Sequence, residues 1–169
     1  RLGKEVLLRA PKLEDAEAIT EALQDQSIFT YMCNIPNPYT LEDALVYIEF
    51  SNAVQKNGKI CNFAICIENK PCGMSGLTFP NGKDAEYGYW LNIQYRNQGI
   101  VSEATKRIIN HGFTVLNLDS VTIRILDGNL PSVQIMKKLG IPQLKTVKEE
   151  EFYRNRKWDV IYFKITKDN

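Results

Sequence analysis

Histidine is almost missing from this chain, with His111 standing alone among 169 residues. The four cysteines, Cys33, Cys61, Cys66 and Cys72, form no C-x-x-C pair. One imidazole and unpaired thiols do not make the N/S ligand sets that hold zinc, so no metal is expected. Cys61 and Cys66 fall in a strand-like run, where a free cysteine acts as a small apolar residue; structural thiols fit a reducing compartment. Neither sign of charge is in excess, since 21 Lys and Arg face 20 Asp and Glu for a net charge of +1. That balance removes the global basic footprint of a nucleic-acid binder. No apolar run reaches the roughly 20 residues that a membrane helix needs, and the first residues lack the layout of a secretion signal. A cytoplasmic protein is expected, monomer or homodimer, with neither nucleic acid nor membrane as partner. Two familiar phosphate loops are also absent: G-x-x-x-x-G-K-[S/T], and G-x-G-x-x-G after a strand.

What is present reads as one mixed α/β domain over residues 1–169, long enough to bury a proper core. Val6-Leu-Leu-Arg9 predicts a short strand. Leu13, Ala16, Ile19 and Leu23 recur at helical spacing and predict a helix over 15–24. Residues 27–39, with Pro36 and Pro38, read as a loop. Thr40-Leu-Glu-Asp43 is a helix start signal, Leu41, Leu45 and Ile48 supply the apolar stripe, and Asn57-Gly58 predicts its end. Strands follow over 60–67, 72–79 and 85–91, the last two joined by a tight turn at Asn81-Gly82. A helix opens after Gly99 with Val101, Ala104, Ile108 and Val115 on one face. A strand over 121–126 precedes a helix capped by Asn129, with Pro131 in its first turn and Gly140 at its end. Strands near 147–153 and 157–165, linked by the polar turn Arg154-Asn-Arg156, close the chain.

The stretch from Glu86 to Ala104 runs from an aromatic-rich strand through a polar turn into a helix. A helix start exposes backbone N–H groups without intrahelical partners and favours an anion, usually a phosphate. Here the turn is Arg96-Asn-Gln-Gly-Ile-Val101. It resembles the pyrophosphate-binding loop of the GCN5-related N-acetyltransferases (GNAT), whose pattern is Gln/Arg-x-x-Gly-x-Gly/Ala. The order of elements is similar to that family along essentially the whole chain. Gly88-Tyr-Trp-Leu91, Ser102-Glu-Ala104 and Asn129-x-x-Ser132 followed by Lys138-Leu-Gly140 resemble its RimJ/RimL branch. The ending Glu151-Phe-Tyr-Arg-Asn-Arg-Lys-Trp-Asp159 looks similar to that branch and to polyamine acetyltransferases. Three positions depart from the pattern. Val101 replaces Gly or Ala, Ile141 replaces a Phe, and Met136 replaces a tyrosine proposed in relatives to protonate the leaving thiolate. That tyrosine's role is therefore not carried over.

The resemblance implies a largely antiparallel sheet of about seven strands, splayed at the cofactor site and flanked by about four helices. It implies acetyl-coenzyme A as cosubstrate, with Arg96, Asn97, Gln98, Gly99, Ile100, Val101 and Ser102 around its pyrophosphate. Leu91, Asn92 and Ile93 would offer backbone groups to the pantetheine arm and the acetyl carbonyl, and Asn129 would touch the same arm or simply cap its helix. Glu86 is the candidate base, the alternative being a solvated or salt-bridged carboxylate. Ser132 is the candidate donor to the sulfur, the alternative being an ordinary first-turn serine. Tyr31, Tyr39 and Tyr153 are candidates for the acceptor site. Tyr87, Tyr89 and Trp90 are expected in the core, and His111 in a structural or exposed position. The implied reaction is direct acetyl transfer to a primary amine in a ternary complex, foremost a protein N-terminus. A small amine (polyamine, antibiotic or amino acid) and a coenzyme A-binding module without turnover remain the alternatives. An acetyl-cysteine route is disfavoured, since no cysteine lies in the loop or on the helix at 129.

Overall fold

The computed structural model describes residues 5–56 and 60–168. In chain order the elements are β1 (Val6–Arg9), α1 (Ala16–Ala22), α2 (Gln26–Phe29), α3 (Leu41–Lys56), β2 (Ile60–Ile67), β3 (Lys70–Asn81) and β4 (Asp84–Leu91). They continue with α4 (Ile100–Thr114), β5 (Ser120–Leu126), α5 (Leu130–Lys138), β6 (Gln143–Tyr153) and β7 (Arg156–Thr166). The expected helix end at Asn57-Gly58 lies outside the described residues. The segment 27–39 is not wholly a loop: Asp25 accepts a hydrogen bond from the Ser27 N–H at 2.9 Å and so caps the short α2. β6 starts four residues earlier than expected because it tolerates an irregular register against β7, with Glu149 at φ +50°.

The seven strands form one sheet in the order β1-β2-β3-β4-β5-β7-β6. Every neighbouring pair is antiparallel except β4 and β5. A parallel pair needs a crossover, and α4 supplies it. Strand alternation then sorts the helices. Tyr87 of β4 and Val121, Ile123 and Ile125 of β5 pack with Ile108 and Ile109 of α4 and Val133 and Met136 of α5. Trp90 of β4, with Met74 and Ala64, packs on the other face with Ile19 and Leu23 of the α1 region and Ala44 and Ile48 of α3. α4 also carries a polar seam: Ser75 donates to the Tyr87 hydroxyl at 2.8 Å, and Tyr87 and Thr105 share a further bond of 2.8 Å, all three residues being buried. A buried hydroxyl without a partner costs about 1–3 kcal/mol, so the seam sets how α4 sits on the sheet.

One pairing is incomplete. β4 and β5 are in register only from Asp84↔Ser120 to Tyr87↔Ile123. Beyond that point β4 stays with β3 as far as Leu91, and β5 stays with β7 as far as Leu126. The two halves of the sheet therefore diverge after Tyr87 and Ile123.

At the far edge of the α1 side, the guanidinium of Arg9 grips Asp15 with bonds of 2.7 and 2.9 Å, and the Lys12 N–H adds a third at 2.8 Å. Burial alone would raise this carboxyl. The Arg9 and Lys12 bonds outweigh it and hold the group below its ordinary 3.8. A depressed folded-state value stabilises the fold above the unfolded value and is lost as pH falls through the folded one. Unfolding midpoints are therefore expected to drop on acidification below about pH 4. Asp15→Asn should flatten that acid limb and, by leaving Arg9 half-buried without its partner, cost about 1–3 kcal/mol in chemical denaturation.

Candidate functional site

The end of β4 leads directly into the site. The Asn92 N–H donates to the Cys72 carbonyl at 2.8 Å, and the Asn92 side chain accepts from the Gln94 N–H at 3.0 Å, folding Ile93–Tyr95 into a single 3₁₀ turn. Gln98 reaches back to the Gln94 carbonyl at 3.1 Å. Asn97 (φ +60°) and Gly99 (φ +80°) take left-handed conformations that reverse the chain tightly. α4 then begins with no side-chain cap, and its first bond runs from the Glu103 N–H to the Gly99 carbonyl at 3.0 Å. The N–H groups of Ile100, Val101 and Ser102 precede that bond and carry the positive end of a 15-residue helix. Val101 is buried, packed with Val6, Ile65 and Leu91, so its larger side chain is absorbed by the sheet and only its N–H is left to the loop.

The diverging strands supply the second component. Asn92 pairs with Cys72, so the even-numbered residues of β4 bond to β3 and the odd-numbered ones face β5. With β5 gone after Ile123, Tyr89 and Leu91 direct their backbone groups to the open side. Of the three positions expected to offer backbone groups, Leu91 faces the gap. Asn92 has its N–H engaged by β3, and Ile93 is within the 3₁₀ turn with its side chain exposed.

A cavity of about 300 Å³ occupies the divergence, bordered by Cys33, Glu86, Tyr89, Arg124, Asn129 and Ser132 among others. Asn129 caps α5, accepting from the Ser132 N–H at 3.4 Å. The Tyr89 hydroxyl donates to Ser132 Oγ at 2.8 Å. Burial raises the Tyr89 hydroxyl above its ordinary value, with the Ser132 bond working against that, so the phenol keeps its proton. Ser132 Oγ then has its own proton to give. Tyr89 packs against the core as expected and also borders the cavity. Met136 is fully buried among apolar residues, and Tyr89 is the tyrosine that borders this cavity beside Ser132.

Glu86 projects on the opposite face from Tyr89, half-exposed, with Oε1 3.9 Å from Arg124 Nη1. Arg124 also donates to Glu151 at 3.1 Å and to the Tyr162 hydroxyl at 3.3 Å. Glu86 thus makes the ion pair that was the alternative to a base, and it also borders the cavity. A larger cavity of about 570 Å³ adjoins, between the α1 region, α3, β3 and β4, and shares Met32, Asn34, Glu86, Gly88 and Tyr89 with the first.

The three candidate acceptor tyrosines separate. Tyr31 borders the smaller cavity and donates to the Gly128 carbonyl at 3.0 Å. Tyr39 borders the larger one, its hydroxyl pushed up to about 12 by burial. Tyr153 borders neither of these cavities; its hydroxyl is committed to the Phe29 carbonyl and its ring packs against Leu126, Trp158 and Val160, a structural post rather than a contact surface. His111 sets its ring edge-on to Phe63 at 6.0 Å. Among the described residues no cluster of three or more His, Cys, Asp or Glu could hold a metal ion. Arg124 and Cys33 were not among the residues expected from sequence: the sheet register brings Arg124 beside Glu86, and the segment following α2 brings Cys33 to the same cavity.

Residues 5–142 match the family described as acetyltransferase (GNAT) domain. The uncharacterized N-acetyltransferase p20 of Bacillus licheniformis is 30% identical over 166 residues, covering 95% of this chain and 92% of that protein. The ribosomal-protein-serine acetyltransferase of Escherichia coli (strain K12) is 32% identical over 127 residues, 73% of this chain and 71% of that protein. Among solved structures, the microcin C7 self-immunity acetyltransferase MccE, in complex with acetyl-CoA and AMP, superposes with a TM-score of 0.86 at 22% identity, over 96% of this chain and 92% of that one.

Burial raises the Cys61 and Cys66 thiols and pushes Cys72 up to about 12. Cys33, half-buried, is raised by burial and then by Glu151, with Arg124 opposing. At neutral pH all four remain thiols, and thiolate is the reactive form. A thiol reagent is expected to label one site slowly in the folded protein, mapping to Cys33 by peptide mass, and all four at once in denaturant. Rapid labelling of Cys61, Cys66 or Cys72 under native conditions would contradict this packing.

Proposed function

The chain belongs to the GNAT family and is an acetyl-CoA-dependent N-acetyltransferase; we propose that it passes the acetyl group directly to a primary amine, foremost the N-terminal amine of a protein. The observation that carries this reading is the divergence of β4 from β5, which opens one cavity to residues from both faces of the sheet. Acetyl-CoA supplies an acetyl thioester and, at its other end, a pyrophosphate. The N–H groups of Ile100, Val101 and Ser102, with Arg96 beside them, suit the pyrophosphate. The outward backbone groups of Tyr89 and Leu91 suit an extended amide-bearing arm, as an added strand would.

Ser132 donates a hydrogen bond to the departing sulfur, steadying the thiolate until it takes a proton from solvent, and Tyr89, donating to the same oxygen, holds that hydroxyl in place. Glu86 takes the proton from the incoming ammonium, since most amines are protonated at neutral pH. Arg124 fixes the carboxylate from the far side. Holding both reactants in the gap supplies much of the acceleration by proximity. Direct transfer rather than a covalent acetyl-cysteine is supported by Cys33, the cysteine bordering this cavity, being kept as a thiol by burial. The protein N-terminus as acceptor is supported by the likeness to a ribosomal-protein-serine acetyltransferase, and by RimJ/RimL-type residues at 88–91, 129–132 and 138–140.

Glu86→Gln is expected to lower kcat by about 10²-fold or more and to remove the acid limb of the kcat/KM–pH profile; an unchanged profile would take Glu86 out of this role. Ser132→Ala should lower kcat with little change in the KM for acetyl-CoA, and Tyr89→Phe should reproduce part of that loss. An acceptor panel of amino-terminal peptides, spermidine and an aminoglycoside, read by free thiol release, tests the acceptor. Turnover with the small amines alone would replace the protein-directed reading.

A further inference from the structure

The larger cavity has a composition that constrains the acceptor. Its floor is rigid and apolar: Ile19, Leu23, Tyr39, Met74 and Trp90 are all buried. Its mouth is flanked by Val46 and Phe50, one helical turn apart on α3 and exposed at 56% and 57%. Two large apolar side chains left in water at a cavity rim mark a contact surface. The lining contains no Lys, Arg or His, and two carboxylates, Asp43 and Glu86. Asp43 is already engaged: its Oδ2 accepts from the Thr40 N–H at 2.8 Å and from the Thr40 hydroxyl at 2.6 Å, closing the start of α3. Glu86 stands where the two cavities meet.

A cavity with Glu86 at its inner end and a mostly apolar deep lining suits one ammonium carried on an uncharged, hydrophobic body. A second ammonium would have only Asp43, already held by Thr40, to pair with, and would lie against Ile35, Val46 and Phe50. The volume of about 570 Å³ lies within the range of small-molecule sites.

We infer that this cavity selects the residue next to the reacting amine: the preferred acceptor begins with a large apolar side chain, such as Leu or Phe, which seats between Val46, Phe50 and Trp90. The inference rests on the peptide-acceptor reading above and narrows it to one class of N-terminus, setting polyamines aside.

The test is a set of otherwise identical peptides beginning with Leu, Phe, Ser or Lys, assayed beside phenylethylamine and spermidine with the native enzyme and with Phe50→Ser and Val46→Asp. Both substitutions fall on exposed positions, and circular dichroism checks that each variant is folded. Leu- and Phe-initiated peptides are expected to exceed the Ser-initiated one in kcat/KM by about tenfold or more, as apolar pockets discriminate. Each variant should erase most of that advantage through KM, with kcat held. Equal kcat/KM for the Leu and Ser peptides, or a preference untouched by both variants, overturns the inference while leaving a peptide-directed enzyme. Turnover of phenylethylamine without any peptide keeps the apolar selection and overturns the peptide reading. Spermidine as the best acceptor overturns both.

Discussion

A parallel pair of strands inside an otherwise antiparallel sheet is the constraint on which this protein depends. β4 and β5 need a crossover between them, so α4 must start just past the end of β4 and run back over the sheet. That alone delivers a helix start to the rim of the sheet. The pair then separates after Tyr87 and Ile123, leaving the backbone groups of Tyr89 and Leu91 without a β5 partner, close to the start of that helix. Peptide groups left dry and unpaired would cost about 1–3 kcal/mol each, so a gap of this kind persists only where water or a ligand completes it. The two halves hold their angle because each remains fully laddered to its outer neighbour, β4 to β3 and β5 to β7. Beneath the closed end, Tyr87, Val121 and Ile108 bind both halves into one core.

The period of two along β4 distributes the chemistry. Tyr89 faces α5 and meets Ser132, whereas Glu86 faces the α1 and α3 side and meets Arg124. The hydroxyls of Tyr89 and Ser132 and the carboxylate of Glu86 thus lie on opposite faces of one sheet and border the same cavity through the split. Glu86 lines both cavities, so it stands where the space among Trp90, Met74 and Tyr39 joins the opening between the strands.

Most of the architecture was legible in sequence, because its signals are local. The 3.6-residue stripe at Val101, Ala104 and Ile108, the Asn129 cap with Pro131 behind it, and the polar turn ending at Arg156 each act within a few residues and each stands where expected. Val115, expected on the same stripe, instead caps the end of α4 and is exposed, because the helix stops before it can turn that position inward. The turn at Arg154 and Asn155 takes positive φ at both positions, as a tight hairpin needs. The site was only partly legible, because its side chains meet over long separations. Tyr89 and Ser132 are 43 residues apart, Glu86 and Arg124 are 38, and nothing in local periodicity distinguishes a buried tyrosine from one facing a cavity. Alternation places Tyr89 on the same face as Tyr87, packed against the same core, so bordering the cavity and belonging to the core are not exclusive for it. Tyr153 misled in the other direction: its neighbours look like a polar tip, yet its hydroxyl is drawn inward by the Phe29 carbonyl. The short α2 was missed because its single capping aspartate sits in a segment rich in turn-formers.

The end of α2 and the residues just after it are tied down at two distant points. Tyr31 holds the Gly128 carbonyl, immediately before the Asn129 cap of α5, and Tyr153 reaches from the last hairpin to Phe29. The wall on the amine side is thereby fastened to the helix that carries Ser132 and to the strands that carry Arg124's partners. Grafting that wall from another acetyltransferase to change the acceptor is therefore not a local exchange. A transplanted loop would have to bring its own anchors for position 128 and for the hairpin, or retargeting one half of the reaction would loosen the other.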